Sequence, residues 1–220
     1  MPTATRFVVG IDASGPSNHK DTSACVLAVA DGRATCLRHL SGLSDTALIA
    51  LVAGLAPEGP VIVGLDAPLS YNDGGGDRPG DQGLRRKVRE AGMLSGSVMT
   101  PTMTRMAYLT LRGLSLARGL TLGGGTAAVR IVEVHPGAAL VLRGAPVSEV
   151  RAVKSDEAAR LRLVAWLRDA GLDGLPDGVA ESDHALMSAA AALSAWRWSE
   201  GQTAWICEAV PPLHPYDFVA

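Results

Sequence analysis

Short apolar runs and longer helical spacings alternate along this chain. Arg6–Asp12, holding Phe7, Val8, Val9 and Ile11, is of strand length and ends in a carboxylate. Thr22–Ala30 and Arg33–Ser41 read as two more strands joined by Asp31-Gly32, a tight-turn signal, so the chain opens as a three-stranded meander. Leu48, Leu51, Val52 and Leu55 recur at helical spacing behind the capping residue Ser44, and Pro57 and Gly59 end that helix. Val61–Asp66 is apolar throughout, the pattern of a strand buried on both faces. Strand, helix and strand in this order predict a right-handed crossover.

From Pro68 to Thr104 the periodicity fades, except for a short helix near Gln82–Ala91, and a segment this long reads as a functional flap or a disordered insertion. Helical spacing resumes with Met106, Leu109, Leu111, Leu114 and Leu116 and ends near Gly119. After Gly123-Gly124-Gly125, Ala127–His135 reads as a strand. Helices are expected over Ser155–Ala170 and Ser182–Trp198, then a short strand near Thr203–Cys207 and a Pro-rich tail. There is no solenoid repeat. The expectation is one α/β domain over residues 1–220, with residues 68–104 inserted into it.

Composition narrows the function classes. A formal charge of -2 and an isoelectric point near 6.2 carry no global signal for nucleic acid or anionic lipid, so a polyanion would have to meet a local patch. The sequence shows no signal peptide and no apolar stretch of about 18 residues, which predicts a cytoplasmic protein without a membrane partner. Cys25, Cys36 and Cys207 lack paired metal-ligand spacing and read as reduced core residues. No dinucleotide fingerprint, phosphate-binding lysine loop or nucleophilic serine elbow is present.

The candidate chemistry lies in an echo. Val9-Gly10-Ile11-Asp12-Ala13 returns as Val63-Gly64-Leu65-Asp66-Ala67. Strand alternation puts Gly10 with Asp12, and Gly64 with Asp66, on one face, and the glycines are expected to leave room beside the acids. Glu133 interrupts the apolar run Arg130–Val134, where a charge is costly unless paired or coordinated. Asp183 opens a helix whose Ala189–Ala192 stretch can lie close to a sheet. Structural alternatives remain open for each: turn bonding for Asp12 and Asp66, the helix dipole for Asp183, and pairing with Arg130 or an insertion arginine for Glu133.

The order GIDAS, GLDAPL, VEVHP and SDHAL before an Ala-rich helix resembles the family catalogued as domain of unknown function 429, predicted to be RNase H-like nucleases. The resemblance runs from Val8 to about Ala195, and DAPL and E-x-H-P are its most specific pieces. It implies an RNase H-like fold: a mixed five-stranded sheet, three antiparallel strands first, flanked by helices, with a long insertion after the fourth strand. It places acids on the first and fourth strands and the last helix, with Glu133 ending the fifth strand. Related sequences often carry another Asp where this chain has Met187.

Phosphodiester hydrolysis needs neutralised phosphate charge, an activated water and a stabilised leaving oxygen, which divalent cations on carboxylates supply. The expected metal ligands are Asp12, Asp66, Glu133 and Asp183, holding Mg or Mn, with His184 as the catalytic proton carrier. Arg78, Arg85, Arg86, Arg105 and His135 are expected to bind substrate, the insertion arginines clamping the phosphates of nucleic acid. The chain is thus expected to be a metal-dependent nuclease. Alternatives are an actin-like nucleotide-binding or phosphotransfer module using the Ser14–Lys20 turn, and a non-catalytic RNase H-like scaffold that assembles as a homo-oligomer.

Overall fold

The structure is a computed structural model and describes residues 6–124 and 129–220. Its frame is a mixed sheet. Strands β1 (Arg6–Asp12), β2 (Ser23–Ala30) and β3 (Arg33–Ser41) form the antiparallel meander that the apolar runs predict. Helix α1 (Asp45–Leu55) begins where the Ser44 hydroxyl accepts the Ala47 amide at 3.2 Å. The chain then returns as β4 (Val61–Asp66), parallel to β1. After α2 (Pro79–Glu90) and α3 (Thr104–Gly123), β5 (Val129–Val134) adds parallel to β4. Then come α4 (Pro136–Leu142), α5 (Val147–Ala152), α6 (Glu157–Asp169), β6 (Leu172–Asp173), α7 (Asp183–Ser199), β7 (Ile206–Cys207) and β8 (Phe218–Val219). The sheet order is β6-β3-β2-β1-β4-β5-β8-β7.

The sheet therefore has eight strands among the described residues, not the expected five. The additions are two-residue strands at the edges: β7 falls within the short strand expected near Thr203–Cys207, while β6 and β8 are too short to show alternation. The Pro-rich tail is not a loose end: β8 pairs with β5, Glu133 opposite Phe218. Helices α4 and α5 escaped prediction because Pro136, Gly137, Gly144 and Pro146 read as breakers. Pro136 instead occupies the first turn of α4, where its missing amide costs nothing. Residues 125–128, including the start of the strand expected at Ala127, lie outside the described residues.

Helices cover both faces. Val9, Ile11, Val63 and Leu65 pack against α1 and α3, whereas Val8, Ile62, Val132 and Val134 pack against α4 to α7. The echoed glycines belong to the second face, and their role differs from the expected one. A Cβ on Gly10 would lie 2.1 Å from the Ala192 nitrogen and 2.2 Å from the Ser188 oxygen. One on Gly64 would lie 2.7 Å from the Ala191 oxygen. The space they clear is filled by the α7 backbone, which the small side chains Ala189–Ala192 bring against the sheet. The glycines seat the helix, and the helix carries Asp183 and His184 to the strand ends.

The 68–104 segment is tied down at several points. Arg85 donates to the Val98 carbonyl at 2.9 Å and pairs with Asp77. Of the cysteines, Cys25 is buried, while Cys36 and Cys207 are only half-buried. No helix among the described residues is long and apolar enough to cross a membrane.

Candidate functional site: an acidic cleft where the parallel strands end

The parallel register sets Asp12 directly beside Asp66, two residues beyond the Gly10–Gly64 pair. Neighbouring strands are about 4.8 Å apart, so two carboxylates issue side by side from one face. Asp183 and His184 join them from the first turn of α7, which Ser182 caps through its hydroxyl and the Ala185 amide at 3.0 Å. The His184 Nδ1 lies 3.3 Å from an Asp12 oxygen, and its Nε2 lies 3.9 Å from Asp183. These residues open onto a cleft of about 440 Å³.

Charge in the cleft is poorly compensated. Burial pushes Asp12 up from 3.8 to about 6; His184 pulls it down, and Asp183 pushes it up. Asp66 is driven well above the ordinary carboxylate range by burial first, then by Asp12 and Glu133. His184 is raised chiefly by its bond to Asp12. Lys154, exposed at the rim, is the cation that acts on both aspartates, and sequence reasoning missed it. It follows α5, in a stretch without periodicity or motif, so nothing in the sequence pointed to it.

Glu133 does something else. It occupies the register position of Leu65 rather than Asp66, so alternation turns it toward the α1–α3 face. There the Arg78 guanidinium grips it through two bonds, at 2.6 and 2.8 Å, and the Leu69 amide donates to it at 2.8 Å. Arg78 also bonds Asp81 and Ser70 and is only 5 % exposed. Burial raises the Glu133 carboxyl, and the Arg78 fork and Leu69 amide work against that rise. Arg78 stays protonated against its own desolvation because Glu133 and Asp81 surround it. The two most specific motifs are thus joined by one hydrogen bond, from Leu69 of DAPL to Glu133 of E-x-H-P. Pairing with an insertion arginine, one of the structural alternatives for Glu133, is what the structure contains.

His135 likewise joins elements. Its Nδ1 accepts the Ala138 amide and caps α4, while its Nε2 donates to the Ser97 carbonyl at 2.8 Å. Burial lowers its pKa, so the ring is neutral, as these two bonds require. Of the arginines expected to meet phosphate, Arg78 and Arg85 are engaged within the protein, and Arg86 and Arg105 are exposed. The Ser14–Asp21 turn is stitched to α3 by Arg112, which donates to the Ser14 carbonyl and the Thr22 hydroxyl.

An arrangement of four carboxylates around two cations does not fit, because both Glu133 oxygens are committed to Arg78. Among the described residues no cluster of three or more His, Cys, Asp or Glu is disposed to hold a metal ion. Magnesium commonly binds through one or two carboxylates and completes its shell with water and phosphate. Asp12 and Asp66 are the side-by-side pair that could hold such an ion, and Met187 also lines the cleft.

No curated protein and no solved structure gave a match to this chain. A family model described as "Protein of unknown function (DUF429)" matches residues 10–211, from the first glycine of the echo into the closing tail, and the chain belongs to that family.

Proposed function

We propose that this protein is a divalent-metal-dependent phosphodiesterase of RNase H-like fold that acts on nucleic acid, with Asp12 and Asp66 as the seat of Mg or Mn. The observation that carries this reading is the register placing Asp12 beside Asp66, with α7 delivering Asp183 and His184 to the same strand ends. The five long strands run β3-β2-β1-β4-β5 with the first three antiparallel, which supports the fold assignment. A bound cation would supply charge neutralisation on the phosphate and an acidified water.

The chain's own groups do the rest. His184, flanked by Asp12 and Asp183, holds a proton that it can pass to a leaving oxygen. Asp12 orients that ring through its 3.3 Å contact with Nδ1, and the Asp183 charge lies close by. Lys154 meets the phosphate at the rim, and the exposed Arg86 and Arg105 replace Arg78 and Arg85 as contacts for the nucleic-acid backbone. Glu133 and His135 hold the cleft's walls together. The test is cleavage of single- and double-stranded DNA and RNA with Mg or Mn, with Asp12→Asn as control. Metal-dependent cutting that Asp12→Asn abolishes is expected; no cutting of any form by folded protein would sink the reading.

Two observations favour a second reading, a non-catalytic scaffold: Glu133 is neutralised by Arg78, and Met187 lines the cleft. That reading predicts no divalent cation bound at millimolar concentration.

A further inference from the structure

At the far end of α7, about 20 Å from Asp183 by helical rise, the last turns of α4, α6 and α7 surround a second hollow of about 350 Å³. Two half-buried guanidinium groups face it. Arg197 lies over the Trp196 ring, its Cζ 4.0 Å from the centroid, and donates to the Ala170 carbonyl at 2.8 Å and the Gln202 side-chain oxygen at 3.0 Å. Arg143 donates to the Gln202 backbone carbonyl at 2.8 Å. Gln202 therefore ties both groups to one place, with the Trp166 indole forming part of the wall.

These arginines are not neutralised. Among the described residues neither has a carboxylate within 4.0 Å, although the exposed Asp169 lies at the mouth, and the Arg143 Nε is buried without a partner. Desolvation lowers the pKa of both, and Arg197 lowers that of Arg143 further. Two like charges held together and partly dried are costly unless something negative fills the space between them. Capping of helix carbonyls explains the Ala170 bond alone, leaving several of the guanidinium donors unspent.

We propose that this hollow is an oxyanion site, taking phosphate or the phosphoryl group of a larger molecule on the paired guanidiniums of Arg143 and Arg197. Planar forks of this kind match phosphate oxygens two at a time. The site is separate from the acidic cleft and stands whether or not that cleft hydrolyses anything.

The test is calorimetric titration of the full chain with inorganic phosphate and with AMP, in EDTA and at constant ionic strength set by chloride. Saturable binding of phosphate is expected. Arg143→Gln and Arg197→Gln, checked as folded by circular dichroism, should each weaken it about tenfold or more, the worth of a charge-assisted hydrogen bond. AMP binding several-fold tighter than phosphate would assign the site to a phosphoryl group carried on an aromatic molecule stacked on Trp166. Equal affinity would assign it to free phosphate. Because a variant can fail to fold, thermal unfolding of the wild-type chain is measured alongside, and phosphate should raise its midpoint above that in matched chloride. No rise and no heat with either ligand overturns the proposal, as does unchanged affinity in the folded variants.

Discussion

Replacing Asp12 by Asn should make the metal-free protein more stable, and only at neutral to alkaline pH. The carboxyl is buried and its pKa is pushed up from 3.8 to about 6. A carboxyl raised on folding binds its proton more tightly in the native state. Stability therefore falls as pH rises from about 4 to about 6 and stays low above that. At about 1.36 kcal/mol per pH unit the rise corresponds to about 3 kcal/mol of destabilisation at pH 8. Asn carries no charge and escapes this cost. Urea unfolding in EDTA should show Asp12→Asn more stable by up to about 3 kcal/mol at pH 8, which is about 6 °C or more in the thermal midpoint of a chain this size. Near pH 4 the advantage should vanish or reverse, because the bond to His184 is lost without compensation. A variant destabilised equally at pH 5 and pH 8 would refute the premise that the cleft holds an uncompensated carboxylate.

Other perturbations separate the cleft from its frame. Gly10→Ala places a methyl group against the α7 backbone, which cannot yield, and should cost about 3 kcal/mol or more, read as a lost or sharply lowered unfolding midpoint. Arg78→Met strands Glu133 and Asp81 as buried charges and should cost about 3–5 kcal/mol in urea unfolding. Double replacement of Arg78 and Glu133 by apolar residues should recover part of that loss. His135→Ala removes the α4 cap and the Ser97 bond, and should cost about 1–2 kcal/mol and speed proteolysis within residues 68–104. Metal affinity should be unchanged in that variant.

The strands that alternation and turn chemistry define, β1, β3 and β4, end where their residue patterns say they should. The Ser44 cap fixes the start of α1 in the same way, and α7 begins within one residue of the expected Ser182. What sequence could not convey was register and parity. Glu133 and Asp66 both lie near the ends of apolar strands, yet one residue of offset turns them to opposite faces of the sheet, although both line the cleft. The glycine echo pointed to a true feature for the wrong reason, since what needs the space is a helix backbone. Helices α4 and α5 were hidden behind proline and glycine, and β8 was too short to carry a pattern. Arg78 reads as a phosphate contact because nothing local shows that Glu133, 55 residues away, takes up its guanidinium.

A crystal of the protein soaked in Mn, examined by anomalous scattering, bears most directly on the cleft. The ion should sit between Asp12 and Asp66, about 2.1 Å from a carboxylate oxygen of each, with water completing its shell and Glu133 still bound to Arg78. An ion ligated by Glu133, or no ion at the ends of β1 and β4 at saturating Mn, would contradict the assignment of these two aspartates as the metal seat.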